Sequence, residues 1–317
     1  MSKTTLLAGA VAAAVTSAAM PGVVRILRAG DRMDVPNSRS SHAAPTPRGG
    51  GAACFGGIAV GLAVARLAGV QVPVRVGVGT AVLAAVGYLD DRYQLSAVRR
   101  LGAQAVTGAA VGLACGGRST PIVGVVLVPT IVNSFNFMDG INGISGGQAS
   151  VWSVFAASRL EKIGLVGDAA FAHSMLGASI GFLPWNVPSA KVFLGDVGSY
   201  LFGAGIAFET LECWSNNKFE ALLLGLPYSV YLADTGWTIL CRLSRGDQLT
   251  VAHRDHVYQQ LVDFQGVEHW HVAALITAIS SLGTLAVKKV GLIALAPLLA
   301  GYLMAPRVAN HLIGSRI

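Results

Sequence analysis

Eleven largely apolar stretches, near 4–27, 51–69, 74–89, 101–116, 119–138, 143–160, 169–185, 197–214, 219–241, 268–287 and 289–306, take up most of the chain and leave short connections between them. A run of about 20 apolar residues spans the hydrocarbon core of a bilayer as a helix. Inside lipid only helices and closed barrels satisfy their own backbone hydrogen bonds. The pattern therefore predicts an all-α, polytopic integral membrane protein of ten to eleven transmembrane helices, one domain over residues 1–317. Composition agrees: 53% hydrophobic residues, 12% charged and a mean hydropathy of +0.59 lie outside the soluble range. The first stretch, Thr4 to Leu27, exceeds a signal-peptide core and runs into a basic loop, which predicts a retained helix.

The net charge of +7 is spread over short loops with no basic stripe or aromatic platform, which argues against a nucleic-acid partner. With the amino terminus outside, Arg25, Arg28, Arg32, Arg39, Arg48, Arg92, Arg99, Arg100, Lys191, Arg242, Arg245, Arg254, Arg307 and Arg316 fall on the cytoplasmic side, fourteen of the 23 lysines and arginines. That bias follows the positive-inside rule. The cytoplasmic loops are then about 28–50, 90–100, 133–147, 186–199 and 242–267, whereas external connections such as Glu161 to Asp168 and Ser215 to Lys218 are minimal. Cys54, Cys115, Cys213 and Cys241 are isolated, with neither a disulfide framework nor zinc spacing. Glycines at small-x-x-x-small spacing, including Gly57 and Gly61, Gly108, Gly112 and Gly116, and Gly177 and Gly181, predict close helix packing and would allow a homodimer.

Under this topology every unusual polar cluster falls on one membrane face. The first runs from Pro36 to Gly51, where Arg39, His42 and Arg48 with hydroxyls and glycines precede a helix; it reads as a phosphate cradle or as a basic linker. The second is Asp90-Asp91 at the end of the third stretch. Neighbours on a helix point about 100° apart, so one carboxylate can touch a metal while the other takes a proton. In the third, Asn133, Asn136 and Asp139 recur at i, i+3 and i+6 before Gly140 and Gly143, which places them along roughly one helix face beside a backbone that a ligand can approach. In the fourth, Asp196 stands between Gly195 and Gly198. With Asp90, Asp91 and Asp139 it completes a set of oxygen ligands suited to Mg²⁺, which is usually held by one or two carboxylates plus substrate phosphates. The fifth is His253-Arg254-Asp255-His256; its histidines lack an H-E-x-x-H context, so contact with a pyrophosphate or sugar is the better functional reading, against an interfacial amphipathic helix. Asp234, inside the ninth stretch, is costly to bury in a membrane and is expected to be paired or to lie near the cytoplasmic cavity.

These motifs, in this order and on one side, resemble the polyprenyl-phosphate N-acetylhexosamine-1-phosphate transferases, glycosyltransferase family 4. The Arg39-Ser40-Ser41-His42 loop and the H-R-D-H-x-Y-Q form look most like the bacterial branch that initiates O-antigen. One residue departs from the pattern: Asn142 stands where the family usually has a second aspartate. The resemblance implies transfer of a sugar 1-phosphate from a UDP-N-acetylhexosamine to undecaprenyl phosphate with release of UMP, at the cytoplasmic face of a bacterial inner membrane, among membrane lipids. It further implies Mg²⁺, with Mn²⁺ as a substitute, bound mainly by Asp196 with Asp91 close or water-bridged. Asp90 would deprotonate or orient the lipid phosphate. Asn133, Asn136 and Asp139 would hold nucleotide or metal, while Arg39, His42, Arg48, His253, Arg254 and His256 would hold phosphates. A secondary transporter should instead carry midplane carboxylates and repeat symmetry. A CDP-alcohol phosphotransferase should carry D-G-x-x-A-R, which is missing after Asp139.

Overall fold

The computed structural model describes residues 2–36, 44–249, 251, 253–263 and 267–314. Its helices are α1 (Lys3–Ala29), α2 (Gly51–Leu67), α3 (Val74–Tyr93), α4 (Ala97–Cys115), α5 (Thr120–Met138), α6 (Ile144–Lys162), α7 (Val166–Asn186), α8 (Gly195–Asn216), α9 (Lys218–Leu224), α10 (Ser229–Arg245), α11 (Val257–Val262), α12 (His269–Val290) and α13 (Leu295–Gly314). Apart from α9 and α11 each has 17 to 27 residues, and each overlaps one expected apolar stretch.

The surface is the reverse of a soluble protein's. Leu67, Val98, Val106, Ile122 and Ile293 are at least 70% exposed, while Gln148, Ser174, Ser179, Glu209 and Asp234 are fully buried. Apolar side chains outside and polar ones inside are what hydrocarbon solvent selects. Among the described residues α1, α5 and α12 are long and apolar enough to cross a membrane by length and composition. The remaining long helices carry glycines and polar groups that the bundle interior absorbs. The chain is an all-α membrane protein.

The ninth stretch departs from expectation: it is two helices, α9 and α10, joined by a 3₁₀ turn at Leu226–Tyr228. Pro227 has no N–H to continue the helical ladder. The carbonyls freed by the break are satisfied from α6, where Trp152 Nε1 donates to Leu224 O at 2.9 Å and Gln148 Nε2 donates to Pro227 O at 2.8 Å.

Helix α8 is the axis of the bundle. From Gly195 to Cys213 every residue except Asp196 is buried, with α3, α5 and α2 packed around it. Two glycines set how closely its amino-terminal end is approached. A Cβ on Gly87 of α3 would lie 2.2 Å from the Asp196 carbonyl oxygen, and one on Gly51 of α2 would lie 2.2 Å from Gly198 Cα. Of the glycines expected to pack helices, Gly57, Gly61, Gly108, Gly112, Gly177 and Gly181 do so, but Gly116 has open space around it and ends α4 at a φ of +82°.

Ahead of α2 the chain doubles back in a two-residue antiparallel ladder, β1 (Met33–Asp34) with β2 (Thr46–Pro47). It is pinned to the strand-like approach to α8: Phe193 N donates to Pro47 O, while Gly49 N and Gly50 N donate to Phe193 O. This clamp carries Arg48 over the end of the bundle where α3, α5 and α8 meet.

Candidate active site

Asp91, Asp196, Asn136 and Arg48 converge at that end from four separate segments. Asp91 accepts backbone N–H bonds from Asp196 at 3.0 Å and Val197 at 2.9 Å, so it caps the first turn of α8. Two anions at the carboxyl end of α3 oppose that helix's own dipole; for Asp91 the amino end of α8 compensates. Gly195, at a φ of +76°, makes the approach feasible, since a Cβ there would meet Asp91 Oδ2 at 2.9 Å and Gly49 Cα at 3.0 Å.

Arg48 bridges both carboxylates. Its Nε donates to Asp91 Oδ1 at 2.9 Å and its Nη2 to Asp196 Oδ1 at 2.6 Å, with Asp34 3.6 Å away. Desolvation works against the guanidinium charge, but Asp196, Asp91 and Asp34 outweigh it and raise Arg48 above the ordinary arginine value, so it stays a cation. Asn136 Nδ2 completes the group by donating to Asp196 Oδ1 at 2.8 Å and Ser199 Oγ at 2.9 Å. Asp139, just past α5, accepts from Ser145 Oγ at 2.6 Å. Burial pushes its carboxyl up to about 7, with the Ser145 hydroxyl and Arg48 pulling the other way.

Not every expected residue joins them. Asn133 donates to Gln104 Oε1 at 2.6 Å and Pro129 O at 2.7 Å, tying α5 to α4 away from the acids. Each three-residue step on a helix rotates by about 60°, so Asn133 and Asp139 end up about 120° apart and no longer share a face. Asp90 points away from Asp91, as adjacent helical residues should. It is 5% exposed, accepts from Leu95 N at 2.8 Å and Tyr200 Oη at 3.2 Å, and pairs with Arg100 at 3.1 Å. Arg39 and His42 lie outside the described residues.

His253 and His256 precede α11, so they sit in an extended segment and not on a helix face; their rings are 5.1 Å apart. His253 Nδ1 accepts from Asp255 N at 3.2 Å. Burial, His256 and Arg242 lower its value to about 4, so near neutral pH it offers a neutral ring instead of a charge. Arg254 pairs with Asp263 at 2.9 Å, and His256 lies 6.2 Å, ring to ring, from Phe137, next to Asn136. Four residues had no individual assignment from sequence, namely Arg100, Ser145, Ser199 and Tyr200. Ser145 and Ser199 lie within or beside motifs that were singled out, but Arg100 and Tyr200 gave no local signal. At the opposite end of the bundle Arg75 pairs with Glu212 and Arg159 with Glu220. Glu209 is fully buried in α8, and neither of its carboxylate oxygens has a hydrogen-bond partner among the described residues.

The donor set suits a hard divalent cation. Asp196 Oδ1 is shared by Arg48 and Asn136, while its Oδ2 accepts no hydrogen bond among the described residues. No cluster of three or more His, Cys, Asp or Glu able to hold a metal occurs among the described residues. The protein thus offers one or two carboxylates, the complement Mg²⁺ takes when substrate phosphates supply the rest.

Residues 74–213, from the start of α3 to the end of the buried part of α8, match glycosyl transferase family 4. The chain is 31% identical over 295 residues to the decaprenyl-phosphate N-acetylglucosaminephosphotransferase of Mycobacterium leprae (strain TN), covering 76% of this chain and 72% of that one. It is 27% identical over 271 residues to a probable undecaprenyl-phosphate N-acetylglucosaminyl 1-phosphate transferase of Bacillus subtilis (strain 168), with coverages of 78% and 74%. Against an undecaprenyl-phosphate alpha-N-acetylglucosaminyl 1-phosphate transferase of Thermotoga maritima it is 30% identical over 204 residues, 62% of each chain.

Proposed function

The chain belongs to glycosyl transferase family 4, the polyprenyl-phosphate N-acetylhexosamine-1-phosphate transferases, and on that premise we propose that it transfers a sugar 1-phosphate from a UDP-N-acetylhexosamine to undecaprenyl phosphate. A lipid-phosphate oxygen attacks the sugar-bearing phosphorus, the bond from that phosphorus to the UMP oxygen breaks, and UMP leaves. N-acetylglucosamine is the first donor sugar to try, because the names of all three relatives carry it. The product would start O-antigen or a related envelope glycan at the cytoplasmic face of the inner membrane, with all eleven long helices as spans.

The observation that carries this reading is the Arg48–Asp91–Asp196–Asn136 group at one end of the bundle. An acceptor phosphate in the membrane surface and a nucleotide sugar from the cytosol can meet there. Asp196, with Asp91 behind it, would hold Mg²⁺, which when bound offsets the charge developing on the leaving UMP oxygen. Arg48 holds phosphate oxygens, and Asp91 keeps the first turn of α8, and so Asp196, in register. The acceptor's second pKa is near ~6, so little base strength is required. Asp90, whose oxygens already accept from Leu95 N, Tyr200 and Arg100, enters as a positioning carboxylate and not as the proton acceptor. Asp139 and the His253–His256 segment border the donor.

The test is to incubate purified protein with undecaprenyl phosphate, Mg²⁺ and a panel of UDP-N-acetylhexosamines and to assay UMP. UMP release that depends on both lipid and sugar nucleotide is expected; none with any donor, from folded protein, overturns the reading.

A further inference from the structure

Asp234 is fully buried in α10, yet it does not touch the acidic group of the active site. Five polar groups meet its carboxylate. Oδ1 accepts from Val257 N at 3.1 Å and Thr238 Oγ1 at 3.3 Å and faces His256 Nδ1 at 2.9 Å. Oδ2 accepts from Tyr258 N at 3.2 Å and from the Tyr302 hydroxyl of α13 at 2.6 Å. An isolated carboxylate inside a membrane bundle is costly, and one so completely hydrogen-bonded is a designed junction.

The junction leads to the active site. Tyr258, held by Asp234 through its backbone, donates its own hydroxyl to Phe137 O at 2.9 Å. That hydroxyl lies 2.1 Å from where a Cβ on Gly140 would be, so only glycine admits it. Phe137 and Gly140 flank Met138-Asp139, and Phe137 follows Asn136. Each Asp234 oxygen accepts a backbone N–H, as an ionised carboxylate does, and on that basis the ring nitrogen facing Oδ1 is assigned the hydrogen. Nε2 is then the nitrogen left to His256 for a ligand, and a carboxylate partner of this kind fixes both tautomer and ring orientation.

We propose that Asp234 is a positioning residue: it holds His256 with Nδ1 protonated and Nε2 free to accept from a hydroxyl of the nucleotide-sugar donor, and it docks the start of α11 on the Asp139 turn. The role of His256 in this statement rests on the transferase reading above.

The tautomer is read without any mutation from long-range ¹H–¹⁵N spectra of ¹⁵N-histidine-labelled protein, with His256 assigned by H256Q. A protonated Nδ1 on His256 is expected; a hydrogen on Nε2 alone overturns the proposal. D234N has the same shape, but one of its two terminal positions is an NH₂, which cannot accept the backbone N–H of Val257 or of Tyr258 as the carboxylate does. The expected result is a His256 ring no longer held in a single tautomer and turnover lowered by about 10- to 100-fold, the usual effect of losing such a partner. D234N combined with H256Q should be no slower than H256Q alone, because residues acting as a unit are not additive. Turnover of D234N within twofold of wild type, or losses that multiply in the double variant, overturn it. Should the wild type release no UMP, the transferase reading fails while the spectra still decide the tautomer.

Discussion

Replacing Gly87 by alanine tests whether the spacing of α3 and α8 sets the active site. The added Cβ would lie 2.2 Å from the Asp196 carbonyl oxygen and 2.9 Å from Val197 N. Carbon and oxygen normally approach to about 3.3 Å, so the helices must separate locally by about 1 Å. The two backbone bonds to Asp91, at 3.0 and 2.9 Å, would then stretch to about 4 Å, beyond hydrogen-bond range. Overpacking costs roughly 1–3 kcal/mol, of which the better helix propensity of alanine offsets about 1 kcal/mol. A misplacement of about 1 Å can reduce turnover by about 100-fold. UMP release at saturating donor and Mg²⁺, with the thermal midpoint measured in parallel, reads both effects. G77A is the control, because on the same helix its Cβ meets nothing within 4 Å, and its activity should match wild type. G87A turning over within threefold of G77A would refute the argument that this contact governs the site.

Asp196→Asn should abolish Mg²⁺-dependent turnover, and full retention would remove Asp196 from the metal site. R48K should stay slow, because an ammonium cannot bond Asp91 and Asp196 in the two-pronged manner of a guanidinium; lysine rescue would show that charge alone suffices. N136A and N133A should separate: the first loses activity, whereas the second lowers the thermal midpoint with turnover largely kept, since Asn133 serves the α4–α5 contact. His253 binds its proton at about 4 in the folded protein against an ordinary 6.5. The unfolded chain therefore binds more protons between those values, and stability falls as pH drops through that window. The thermal midpoint should decline between about pH 6.5 and 4, and less in H253Q; equal slopes would contradict it.

Much of this molecule was legible in its local patterns. An apolar run long enough to cross lipid can satisfy its backbone only as a helix, so the positions of the eleven long helices follow from hydropathy. The break in the ninth stretch was also present in the sequence, at Gly225 and Pro227, but the side chains that make it tolerable, Trp152 and Gln148, come from a distant helix. The acidic motifs were visible because carboxylates and amides are conspicuous in apolar surroundings.

Partnership was another matter, since it depends on which helices pack together. Asp90 and Asp91 are neighbours in sequence with opposite surroundings, one bound to Arg100 and Tyr200, the other capping α8. Asn133 and Asn136 share a motif, yet one faces α4 and the other Asp196. Arg48 reads as a loop cation until a two-residue ladder and the Phe193 backbone swing it onto two acids. Asp234 reads as a misplaced charge until α11 and α13 close around it. Helix formation is decided by hydrophobicity and hydrogen bonds within about four residues, which the sequence alone determines. The choice of partner for a buried charge is decided by groups brought from up to a hundred residues or more away, and only the tertiary structure makes it.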